Sequence, residues 1–89
     1  MKHLNELNLT EQEVWQIFGS QENYEDNLAW YEKNPGSLDE VRAIARLLFL
    51  RGKREESRKM LESIEDARIR EESLQWYASW CAEPGWIVN

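Results

Sequence analysis

The chain lacks the residues from which most catalytic and metal centres are built. It has one cysteine, Cys81, and one histidine, His3, in 89 residues. A single thiol excludes an intramolecular disulfide framework. A zinc site needs three or four nitrogen or sulfur ligands, and a nucleophilic thiol needs a base within hydrogen-bond reach; neither set is present. Only four Gly and two Pro occur, too few for a turn-rich β design or a collagen-like repeat. There is no glycine-rich phosphate loop and no nucleophile elbow. Nowhere do about 18 apolar residues follow one another, and residues 1–8 hold no apolar run of the secretory kind. The expectation is a cytoplasmic protein that neither spans nor binds a membrane, needs no cofactor or metal and is not an enzyme. The sequon Asn8-Leu9-Thr10 is then a chance match.

What is present is the balance of a folded globular chain, 42% hydrophobic and 31% charged. The length suits one helical domain over residues 1–89, with 1–9 as a flexible lead and 84–89 as an apolar tail. The net charge is -6, from 11 bases and 17 acids. It is spread unevenly: residues 1–37 sum to -5, residues 38–70 to +2 and residues 71–89 to -3. An acidic chain is repelled by phosphate backbones and anionic lipid, which argues against nucleic acid as a partner. The run Arg51, Lys53, Arg54, Arg58, Lys59 is interleaved with Glu55 and Glu56 and reads as a solvated face. Adjacent acids at Asp39-Glu40, Glu55-Glu56 and Glu71-Glu72 sit near helix starts, where they offset the helix dipole.

Apolar spacings of three and four recur throughout, and no stretch alternates with a period of two, so the predicted class is all-α. Thr10 with Glu13 forms a capping box, stapled by Leu9 and Val14, for a first helix over about Glu11 to Phe18 that ends at Gly19. Ser20 caps a second through about Lys33, with Tyr24, Leu28 and Tyr31 inward, ended by Asn34-Pro35-Gly36. Ser37 with Glu40 repeats the capping pattern for a third, whose apolar face of Leu38, Val41, Ile44, Ala45 and Leu48 runs up to Gly52. Its closing run Leu47 to Leu50 predicts cover on more than one side. A fourth covers about Glu55 to Ile64, and Asp66 caps a fifth through about Ala82. Such short connections predict about five antiparallel helices stacked in order.

Gly19, Gly52 and Gly85 recur at a spacing of 33, each at the end of a proposed helix. The stretch from Leu38 to about Ala82 resembles a tetratricopeptide helix pair followed by the first helix of the next unit, on the strength of Ile44-Ala45, Leu48, Gly52, Ser57 and Leu61. In that family a small side chain of the first helix packs against a small one of the second, and Ala45 and Ser57 occupy those places. The chain departs from the pattern at Ser57, where Ala is usual, at Leu48, where an aromatic is common, at Ile64, where Ala is common, and in having no proline that closes the unit. Size, acidity and helix pattern are also similar to the cytoplasmic chaperones of bacterial type III secretion.

The resemblance implies a groove lined by the first helices of successive units, holding a peptide or helix of another protein. It selects Arg42, Arg46 and Phe49 on the third helix and Trp76 and Trp80 on the fifth, with Trp86 beyond it as a partner-binding residue. Arginine and tryptophan are the side chains most enriched in binding hot spots. Such a groove suits an acidic, amphipathic segment, which makes the expected function that of an adaptor, chaperone or inhibitor. Trp15, Trp30 and Trp76 are expected to fill the core, as is Cys81, while Trp80 and Trp86 are the better candidates for surface anchors. Two alternatives stand beside this reading: an acidic antagonist, of phage or plasmid type, occupying a basic site on its target, and a structural protein that self-associates as a homodimer through Trp86, Ile87 and Val88.

Overall fold

A computed structural model describes residues 3–82. Those residues contain five α-helices and no strand: α1 Glu11–Phe18, α2 Gln21–Lys33, α3 Leu38–Leu50, α4 Arg54–Glu62 and α5 Ala67–Ala82, preceded by a 3-10 turn at Leu4–Glu6. The chain divides into two compact units, the first ending at Ile44 and the second beginning at Ala45, inside α3.

The first unit starts from local hydrogen bonds. Thr10 Oγ1 accepts from Glu13 N at 3.2 Å and Glu13 Oε1 accepts from Thr10 N at 2.9 Å, so two amides left free by the first turn of α1 are satisfied reciprocally. Gly19 closes α1 at φ 83° with its N–H on Trp15 O, the left-handed ending that a side chain would oppose. Ser20 Oγ then accepts from Asn23 N at 3.1 Å and starts α2, leaving a two-residue connection. The helices α1 and α2 pack together, and α2 packs on the 3-10 turn. Val14, Tyr31 and Leu4 are buried here, and Phe18 meets Tyr24 at 5.3 Å between ring centroids.

Ser37 makes only half of the expected capping box. Its Oγ accepts from Glu40 N at 3.4 Å, but the Glu40 carboxylate turns away from the Ser37 amide. It accepts from Gly36 N at 2.8 Å and from Leu4 N at 3.1 Å, and its Oε1 lies 3.2 Å from His3 Nδ1. The residue is 1% exposed. Asp39 and Glu40 both lie in the first turn of α3, as the sequence predicts, and Glu40 has a further role: it clasps the 3-10 turn to the start of α3. The same clasp explains why residues 4–6, inside the stretch read as a flexible lead, form a turn with Leu4 fully buried.

In the second unit α3 ends in a Schellman motif. Gly52 takes φ 82°, its N–H donates to Phe49 O at 3.0 Å and Lys53 N donates to Leu48 O at 2.9 Å. Gly19 and Gly52 thus play one role at their spacing of 33, and Gly85 lies outside the described residues. The run at the end of α3 is covered as expected: Leu47, Phe49 and Leu50 are buried and Leu48 half-buried. Ala45 and Ser57 are both fully buried, and Ser57 Oγ donates to Ala45 O at 2.7 Å, so the small residues do mark where α3 and α4 approach. Helix α4 stops two residues before Ile64. Ser63 takes the cap position, and its Oγ donates to Met60 O at 2.6 Å, drawing the chain out of helix. Asp66 Oδ1 accepts from Arg68 N and Ile69 N, starting α5, which packs on α4.

The tryptophan expectation is overturned. Trp15, Trp30 and Trp76 are 63%, 46% and 43% exposed. Successive helical residues point about 100° apart, so one residue at the core turns its neighbour away. Val14 holds the inward position beside Trp15, and Tyr31 does so beside Trp30. On α5 the buried residue is Ser73, with half-buried Tyr77 one turn on, leaving Trp76 outward. Cys81, also expected in the core, is a free and exposed thiol.

Candidate functional site

The second unit assembles an aromatic cluster overlaid by guanidinium groups. Phe49 of α3 is buried and meets two rings of α5: Tyr77 edge-on at 5.7 Å and 86°, and Trp80 at 5.7 Å and 55°. Tyr77 and Trp80, spaced i, i+3 on one face of the helix, lie 6.3 Å apart. Edge-to-face pairs of this kind each add about 0.5–1.5 kcal/mol beyond the area they bury.

Two arginines from different helices lie over these rings. Arg46, spaced i, i+3 from Phe49, places its Cζ 5.1 Å from the Trp80 centroid and 5.9 Å from that of Phe49. Arg54, the first residue of α4, places its Cζ 5.0 Å from the Phe49 centroid. The Schellman turn at Gly52 makes the second placement possible, because it folds the start of α4 back beside the residue that ended α3. A stacked guanidinium gains about 0.5–2 kcal/mol, more where water is excluded, while its N–H groups lie in the plane of the fork, away from the ring they cover.

Tyr77 lies one turn before Cys81 on α5. Burial pushes the Tyr77 hydroxyl above its ordinary pKa of 10.0, the neighbouring Cys81 adds to this, and the charges of Arg58 and Arg54 pull the other way. Among the described residues no group of three or more His, Cys, Asp or Glu could hold a metal ion, and no helix is long and apolar enough to cross a membrane.

Of the six residues selected from the sequence, Arg46, Phe49 and Trp80 come together in this cluster. Trp76 stands one turn before Trp80, 43% exposed. Arg42 lies one turn before Arg46 on α3, half-buried and within the first unit. Trp86 lies outside the described residues. The sequence does not single out Arg54, which falls in the run read as a solvated face, or Tyr77. The signal that could have found Arg54 was Gly52: a left-handed ending two residues earlier aims that side chain back along α3. The chain matches no known protein family, no curated protein and no solved structure.

Proposed function

We propose that this protein is a non-enzymatic binding module whose Arg46, Arg54, Tyr77 and Trp80, assembled on the buried ring of Phe49, take an acidic, amphipathic segment of another protein. The observation that carries the reading is the convergence of two guanidinium groups from α3 and α4 on one three-ring cluster. A rigid indole and a planar cation bury area at little entropic cost, and a guanidinium at this face attracts a carboxylate. Apolar side chains of the segment lie against Trp80 and its acids meet Arg46 and Arg54. Partner capture in the manner of an adaptor or chaperone uses these contacts without chemistry.

The finer architecture in this proposal is a tetratricopeptide-like stack of antiparallel hairpins, supported by the close approach of Ala45 and Ser57. A reducing cytoplasm is the setting in which an exposed lone thiol such as Cys81 persists.

Calorimetric titration of the full chain with an octapeptide alternating glutamate and leucine tests the proposal. Trp80→Ala is expected to weaken binding at least tenfold, about 1.4 kcal/mol, with most of the wild-type affinity surviving in 1 M salt, where the Debye length is about 3 Å. Affinity that ignores Trp80→Ala contradicts the reading. Affinity that collapses with salt in the wild type leaves only charge attraction to the guanidinium groups and contradicts the part given to Trp80.

A further inference from the structure

The hairpin of α1 and α2 carries an aromatic surface that the cluster of the second unit does not use. Trp15 is 63% exposed, and next to it Leu9, Val14 and Tyr24, with Glu11 and Gln21, line an open recess of about 400 Å³. Its walls are fixed by packing: Val14 is 3% exposed, and Tyr24 is held by Phe18 at 5.3 Å. The Gly19 ending and the Ser20 cap lock the connection between the two helices. An exposed indole beside a recess walled by both apolar and polar side chains is the composition of a contact site rather than of ordinary solvated surface.

The charge around it selects the occupant. Residues 3–37 carry seven acids against Lys33 as the one lysine or arginine, and Glu11 itself lines the recess. Glu22, Glu25 and Asp26 are exposed on α2. We propose that this recess docks a basic, apolar segment of a partner protein. An apolar side chain enters between Leu9, Val14 and Tyr24, while a lysine or arginine covers the Trp15 indole and pairs with Glu11. A second copy of the chain is the weaker candidate. Two of its basic side chains are paired already, Lys59 with Glu55 at 3.5 Å and Arg58 with Glu62 at 3.8 Å. An acidic segment is repelled here and suits the other face.

The test is a titration of the full-length, ¹⁵N-labelled protein followed through its tryptophan indole N–H signals, with Trp15→Phe identifying the Trp15 signal. The probe is a blocked octapeptide alternating lysine and leucine, and the control alternates glutamate and leucine. The Trp15 signal is expected to move saturably with the lysine peptide and at least tenfold more weakly with the glutamate peptide. Glu11→Gln, which leaves the fold intact, is expected to lower the lysine-peptide affinity about two- to fivefold. A Trp15 signal that the lysine peptide leaves in place overturns the proposal, as does one that both peptides move alike or an affinity indifferent to Glu11→Gln. Movement of the signal on raising protein concentration alone overturns it in favour of a second copy.

Discussion

Glu40 carries the largest single electrostatic commitment in the first unit. Its burial raises the carboxyl pKa, but the N–H groups of Gly36 and Leu4 and the ring of His3 outweigh that and hold it below the ordinary 4.5. In the window between the lowered folded value and 4.5 the unfolded chain binds more protons than the folded one, so stability rises with pH there. It is fully present above the window and lost as pH falls through it. Glu40→Gln should flatten this acid limb in urea unfolding series and cost about 1–3 kcal/mol at neutral pH, because one amide loses its acceptor. Tyr31 behaves in the opposite sense at the alkaline end. Burial first, then the charges of Asp39 and Glu40, push its hydroxyl up to about 12. The stability it contributes is whole below the ordinary 10.0 and is lost as pH rises towards 12. A rise from 10.0 to about 12 corresponds to about 3 kcal/mol at most, and Tyr31→Phe should remove that alkaline dependence. None of this was legible in the sequence. Two neighbouring acids after Ser37 look the same whether they sit over a helix dipole or one of them reaches back to residues 3 and 4.

At the scale of elements, caps and stops were read well because they depend on a few adjacent residues. Thr10 and Glu13, Ser20, Gly19, Gly52 and Asp66 all act locally, and each appears where its chemistry requires. Thr10→Ala should cost about 1 kcal/mol through the lost cap, measured by denaturant unfolding. Gly52→Ala should cost about 1–2 kcal/mol, since its φ of 82° places a Cβ against the following carbonyl. That substitution also tests the site, because Arg54 reaches Phe49 through the Gly52 turn. Peptide affinity should fall in Gly52→Ala even under conditions where the variant is fully folded. Helix phase was less legible. Val14 beside Trp15 and Tyr31 beside Trp30 compete for one inward direction, and size did not decide it: in each pair the tryptophan is the residue turned outward. The end of α4 was missed for a similar reason, since the backbone bond of Ser63 to Met60 competes with the apolar pull of Ile64.

Across the whole molecule, charge divides where the compact units divide. Residues 3–44 hold nine acids and two bases, a sum of -7, and residues 45–82 hold seven acids and eight bases, a sum of +1. The all-α class followed from period alone, whereas Arg46, Phe49 and Trp80 were picked out by the tetratricopeptide resemblance, together with Arg42, Trp76 and Trp86. Arg54 and Tyr77 required the turn between α3 and α4 and the pairing of α4 with α5, which a single sequence does not encode locally. The two proposals assign the units opposite preferences, an acidic segment for the cluster of the second and a basic one for the recess of the first. The binding role of the cluster is tested most sharply by the indole spectrum of the full chain titrated with the glutamate and leucine octapeptide, with Trp80→Phe identifying one signal. The Trp80 signal should move saturably while those of Trp15 and Trp30 stay in place. A Trp80 signal that does not move, or one no more affected than Trp15, would contradict that role.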